Sequence, residues 1–147
     1  MASITYSFQN VTAALIGPGG VISLANGAGP ANEGITFDTN DINEMTVGAD
    51  GYGMHSLSAD KSGRVVARFL KTSPTNSLLM GLYNFQRANA AAHGQNTITL
   101  VDIARGDSVT CEQVAFKKAP SLNYGTNAGI VEWEFDAVRI NKVIGGL

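Results

Sequence analysis

Large apolar residues alternate with polar ones along most of the chain, the period of half-buried strands. The alternation predicts strands over 4–8, 11–16, 21–24, 34–38, 44–47, 54–58, 64–70, 98–103, 108–117 and 130–143. Turn chemistry separates them. Gly17-Pro18-Gly19-Gly20 suits a hairpin corner, because glycine tolerates positive φ and proline fixes its own. Residues 26–32 read as a loop, and Asp50-Gly51-Tyr52-Gly53 as a turn between Val47 and Met54. Asp60-Lys61-Ser62-Gly63 predicts a hairpin joining 54–58 to 64–70.

One segment breaks the period. Ser73 can cap exposed N–H groups with its hydroxyl, and Pro74 suits the first helical position. Leu78, Leu82 and Phe85 follow at i, i+4 and i+7, with Leu79 beside them, so they define the expected buried face. Gly94 is the expected left-handed terminator, giving a helix over about 74–92. Paired strands, short turns and one central helix predict a mainly β protein. The fold class is an antiparallel β-sandwich or barrel with one flanking α-helix. No linker or repeat divides residues 1–147, so one domain is expected.

Composition changes the picture in one respect. Charged residues are 15% of the chain, against about 25% in ordinary soluble domains. Glycine contributes 17 residues of 147. Few charges therefore cover the surface, as expected where part of it is buried against other subunits. The other reading is a surface covered by Ser, Thr, Asn and Gly. The net charge of −2 argues against a broad electrostatic grip on nucleic acid. The single cysteine, Cys111, excludes an internal disulfide. The first residues lack a signal-peptide pattern, and no apolar run is long enough for a bilayer helix. Synthesis in the cytoplasm is the expectation.

Candidate chemistry is sparse. Gly17–Gly20 lacks the Lys-Ser/Thr of a phosphate loop, and 27–32 lacks the third glycine of a dinucleotide fingerprint. His55 and His93 are far apart in sequence, with no metal-ligand spacing near either. Cys111 within a strand reads as a packing residue. No catalytic set, metal or cofactor is expected. The sharpest pattern lies in the last strand. Val131, Trp133 and Phe135 alternate with Glu132, Glu134 and Asp136, so three carboxylates share one face. That face is either an ordinary solvated surface or an acidic stripe lining a channel, where it would repel phosphates. The parity changes near Ala137-Val138, which predicts a bulge or a change of sheet.

Several segments, in order and spacing, resemble a known family. They are Ile4-Thr5-Tyr6-Ser7-Phe8-Gln9-Asn10-Val11, Ile16-Gly17-Pro18-Gly19-Gly20, Gly48-Ala49-Asp50-Gly51-Tyr52-Gly53-Met54-His55-Ser56 and Leu70-Lys71-Thr72-Ser73-Pro74-Thr75-Asn76. Together they resemble the tail tube proteins of contractile-tailed bacteriophages. The resemblance implies two packed antiparallel sheets with a flanking helix. It implies hexameric rings that stack into a hollow tube, with the inner sheets joined into one barrel. Sheath, tape measure, and baseplate or tail-terminator proteins are the implied partners. DNA would pass through the lumen without specific binding, and the product would reside in the virion tail. Glu132, Glu134 and Asp136 are the candidate lumen stripe. A long inter-subunit loop is expected around Asp38, Asn40, Asp41, Asn43, Asp50 and Tyr52. Two other readings remain: a tube protein of a type VI secretion system or tailocin, and a carbohydrate-binding β-sandwich, which would need an exposed aromatic platform.

Overall fold

The computed structural model describes residues 5–25, 29–127 and 129–145. Its strands are β1 (Val11–Gly17), β2 (Gly20–Ser23), β3 (Pro30–Thr39), β4 (Asn43–Val47), β5 (Gly53–Leu57) and β6 (Gly63–Leu70). Helix α1 (Thr75–Ala88) follows, then β7 (Asn96–Asp102), β8 (Asp107–Phe116) and β9 (Ile130–Val143). Seven strands form one sheet in the order β2-β1-β7-β8-β9-β6-β3, and β4 and β5 form a separate two-stranded ribbon. Every pairing between these strands is antiparallel. The large sheet curls into a half-barrel.

β9 explains how one sheet does the work of two layers. Its first part, Ile130–Ala137, pairs with β6, and its later part, Phe135–Val143, pairs with β8. The parity switch expected near Ala137-Val138 falls at this handover: Ala137 and Ile140 both point inward. The β8–β9 register runs unbroken through it, while the shift appears between β8 and β7, where Gln113 adopts φ 53. A bulge there lets the sheet bend. Inward side chains from both parts then share one core, with Leu15, Ile98 and Cys111 from one part and Phe69, Trp133 and Phe135 from the other.

Helix α1 is fastened to this core along its length. Leu79 and Leu82 are buried, and Tyr83 meets Phe116 edge-on at 5.6 Å. Phe116 also contacts Trp133 and Phe135, at 5.9 and 4.9 Å between centroids. In the first turn, Trp133 Nε1 donates to Asn76 Oδ1 (3.1 Å), and Asn76 Nδ2 donates to the Leu70 carbonyl (2.9 Å). Near the last turn, Gln86 and Asn96 exchange two hydrogen bonds of 2.6 and 2.7 Å, with both side chains buried.

Several expectations need correction. The strand over 4–8 is absent over 5–8, and Ile4 lies outside the described residues. Phe8–Asn10 is a short 3-10 turn instead, stabilised by Ser7, whose hydroxyl accepts from the Gln9 N–H and whose carbonyl accepts from Asn10. Such local bonds compete with strand pairing. Residues 54–58 and 64–70 do not form a hairpin: β5 pairs with β4, and β6 with β3 and β9. The helix ends at Ala88, not 92, because Asn89 turns extended at φ −133, ψ 107. His93 therefore lies beyond the helix's last turn. Its buried set is Thr75, Leu79, Leu82 and Gln86, so Leu78 and Phe85 face outward. The loop expected over 26–32 lies partly outside the described residues, and β3 already begins at Pro30.

The amide pair gives a direct test. Asn96→Leu should lower the unfolding free energy by about 1–3 kcal/mol in a urea titration, since Gln86 loses its complementary partner. Gln86→Met combined with Asn96→Leu should recover most of that loss. A double variant weaker than the single one would contradict the account.

Candidate functional site

The β4–β5 ribbon is built from local chemistry at both ends. At its tip, Gly48 and Tyr52 close the turn through Gly48 N–H donating to the Tyr52 carbonyl (2.8 Å). Asp50 Oδ1 accepts from the Tyr52 N–H (3.1 Å), and Gly51 supplies the left-handed φ of 88. At its base, Asn40 bonds Ser62 twice, backbone to backbone (3.1 Å) and side chain to side chain (2.9 Å). Asp60 finishes the return with its carboxylate accepting from the Ser62 N–H (2.8 Å). The Ser62 hydroxyl and N–H hold the Asp60 carboxyl below its ordinary range.

Between these ends the ribbon has no cover. Every residue of β4 and β5 is exposed. The register places Met45 opposite His55 and Val47 opposite Gly53, with Asn43 opposite Leu57 on the same face. Met45, Val47 and Leu57 therefore share one face with Asn43 and His55, and Leu57 is 85% exposed. Glu44, Thr46, Met54 and Ser56 lie on the other face. An isolated two-stranded hairpin is marginal in water. This arm presents what a folded chain ordinarily hides.

The expected loop residues fall on this arm and its base. Asp38 lies next to the last residue of β3, opposite Arg64, Asn40 closes the base, Asp41 is exposed, Asn43 opens β4, and Asp50 and Tyr52 form the tip. The polar residues set its outline. The apolar residues Met45, Val47 and Leu57 read in sequence only as strand positions, because nothing local shows that their neighbours are solvent.

The carboxylates of β9 share the outward face. Glu132 and Asp136 are exposed and Glu134 is half-buried, while Val131, Trp133 and Phe135 are buried. They do not stand alone. Arg68 contacts Glu132 at 3.4 Å, Lys118 contacts Glu134 at 3.8 Å, and Arg64 lies opposite Asp136 in the register. Further along β9, Arg139 contacts Glu112 of the adjoining strand β8 at 3.3 Å. The face alternates in sign instead of being purely acidic. Exposed pairs of this kind contribute little to stability, so their effect is on the potential at the surface.

At the helix entry, the Ser73 hydroxyl accepts from the Thr75 N–H (3.2 Å), and Pro74 sits just before the first helical residue at φ −65, ψ −17. Gly94 has the left-handed φ of 78, but in the turn leading to β7. His55 is on the arm, His93 is in that same turn, and Cys111 is buried in β8. Trp133 is buried, so it offers no platform for a sugar ring. Among the described residues no helix is long and apolar enough to cross a membrane.

Residues 2–145 match the family of the bacteriophage PhiTE tail tube protein. The chain belongs to this tail tube family. It is a virion or tail-associated structural component, as the family resemblance implied. No curated protein matches it in sequence. Three cryo-EM structures share its fold. A protein of the anti-feeding prophage baseplate, 6-fold symmetrised, is 9% identical with a TM-score of 0.61, covering 100% of both chains. One from the anti-feeding prophage tube-terminating cap is 10% identical at 0.53, covering 99% of this chain and 96% of that one. One from the sheath–tube complex of the extracellular contractile injection system PVC, in its extended state, is 12% identical at 0.51, covering 90% and 88%. At these identities the likeness is one of fold.

Within the tail tube chain, burial pushes the Cys111 thiol up to about 12. The thiolate is the reactive form. Iodoacetamide at pH 8 should therefore leave the folded protein unlabelled and label it fully in denaturant, read by mass spectrometry. Rapid labelling of the native chain would show that the β8 core opens.

Proposed function

We propose that this tail tube protein polymerises into stacked hexameric rings, with the β4–β5 arm reaching a neighbouring subunit. The observation that supports this reading most is the fully exposed ribbon with Met45, Val47 and Leu57 on one face. An apolar arm held clear of its own core gains stability only by burial against something else. The low charged fraction, 15%, reduces repulsion between copies. The whole chain acts as one tube-building unit, without catalysis or cofactor.

In this reading the outward face of β6, β8 and β9 lines the channel through which the genome leaves. Glu132, Glu134 and Asp136 would keep phosphates from settling, while Arg64, Arg68 and Lys118 keep the wall nearly balanced. A hydrated, sign-alternating wall gives a polyanion neither a continuous cationic track nor a strong barrier. The sheath would surround the tube, the tape measure would fill it first, and baseplate and terminator proteins would close its ends. Assembly would take place in the host cytoplasm and the product would reside in the virion tail.

Purified full-length protein should form tubes or rings by negative-stain microscopy at high concentration. Met45→Ser with Leu57→Ser should change stability by about 0.5 kcal/mol or less, since both positions are exposed, yet abolish those assemblies. A side-chain-resolution tube reconstruction should place Glu132, Glu134 and Asp136 in the channel. Finding them buried between subunits, or a wild-type chain that stays monomeric, would overturn this function.

A further inference from the structure

We propose that the groove between α1 and the β1–β2 turn is the receptor for the arm of a second copy. The inference rests on the reading of the chain as a polymerising subunit and names the surface that reading leaves open.

The groove is an open concavity of about 470 Å³ whose lining carries no charged side chain. Its walls are Val21 on β2 and Leu78, Leu82 and Phe85 on the helix. Leu78 is 59% exposed and Phe85 49%, although their spacing marks them for burial. The helix thus has two apolar stripes. Leu79 and Leu82 are buried in the chain's own core, whereas Leu78 and Phe85 keep much of their surface uncovered.

Gly81 sharpens the point. It sits in the middle of α1, where glycine is less favourable than alanine. A Cβ added there would meet no atom within 4 Å. No intramolecular neighbour therefore requires the glycine, but a body lying in the groove would. Gly19, on the opposite rim, is different: its left-handed φ of 106 and the nearby Leu82 and Phe85 side chains account for the glycine within the chain.

The arm fits this site in chemistry. Its face of Met45, Val47 and Leu57 carries no carboxylate or ammonium group, since Glu44 lies on the opposite side, and its polar members are Asn43 and His55. It does not cover its own groove, since both remain exposed in the same chain. Each copy therefore offers one uncovered apolar projection and one uncovered apolar recess. Joining the two between copies is a heterologous contact. Such a contact leaves a free arm at one end and a free groove at the other, so growth continues until a ring closes or a helix extends.

Two variants of the full chain test this. Gly81→Phe places a ring at the groove from a position where an added Cβ meets no atom within 4 Å, so its thermal midpoint should stay close to wild type. Its threshold concentration for assembly should rise about tenfold or more. Met45→Cys with Gly81→Cys in one chain should, after oxidation of assemblies, give a covalent ladder beyond the dimer on non-reducing gels. Each single variant should give none, since native Cys111 is buried. Normal assembly by Gly81→Phe, or polymers of the double-cysteine chain without a ladder, would overturn the groove as receptor. If the arm-face serines also stop assembly in that case, the arm docks elsewhere and only this inference falls. A wild-type chain that never polymerises overturns both.

Discussion

The buried exchange between Gln86 and Asn96 sets the geometry on which the other features depend. Two amides that each donate and accept satisfy one another in a space without water, and a one-residue rotation of the helix would leave both unpaired. The pair fixes which stripe of α1 faces the sheet. Gly17 is part of the same arrangement, because a Cβ there would collide with the Asn96 side chain. Gln86 Nε2 also reaches toward the Pro18 carbonyl at 3.5 Å, so the β1–β2 turn, the helix and the start of β7 meet at one point. Asn76 performs the matching task at the other end, between Trp133 and Leu70. With both ends fixed by side-chain amides, Leu78 and Phe85 have no route inward.

This is also where the pattern of apolar residues misleads. Leu78, Leu82 and Phe85 form the expected inner stripe, which leaves out Gln86. The burial of Gln86 becomes legible only when Asn96 is known to stand beside it, and that proximity is tertiary. The helix end shows the same limit. Gly94 has the backbone of a terminator, but the chain leaves the helix at Asn89 and reaches that glycine after a further turn. Strand positions were more readable, because alternation is local. β6 and β9 keep it with little interruption: Val65, Ala67 and Phe69 point inward, as do Val131, Trp133 and Phe135. Pairing was less readable. Asp60-Lys61-Ser62-Gly63 has hairpin composition, yet its hydrogen bonds close the base of an arm.

The charged face carries a related lesson. Read along β9 alone, Glu132, Glu134 and Asp136 form a single-sign row. Their partners lie on β6 and in the segment after β8, tens of residues away in sequence, and only the register brings Arg64 and Arg68 alongside. The face was visible in the sequence, but its potential was not, since that depends on neighbours across the sheet. The arm divides in the same way. Its polar turn residues mark where it bends, while the exposure of Met45 and Leu57 follows from the lack, among the described residues, of any layer packed over that face.

β9 has a further consequence. Phe135, Asp136 and Ala137 are the residues paired on both sides, to β6 and to β8. On one side of them lie β6 and β3, and on the other β8, β7, β1 and β2. Tension pulling these two groups apart would pass through that short splice. Because the strands run antiparallel there, a load along the strand direction puts the flanking hydrogen bonds in shear, so they would have to fail together instead of unzipping in turn. Within the sheet, the middle of the last strand is thus the place where the two groups of strands are joined.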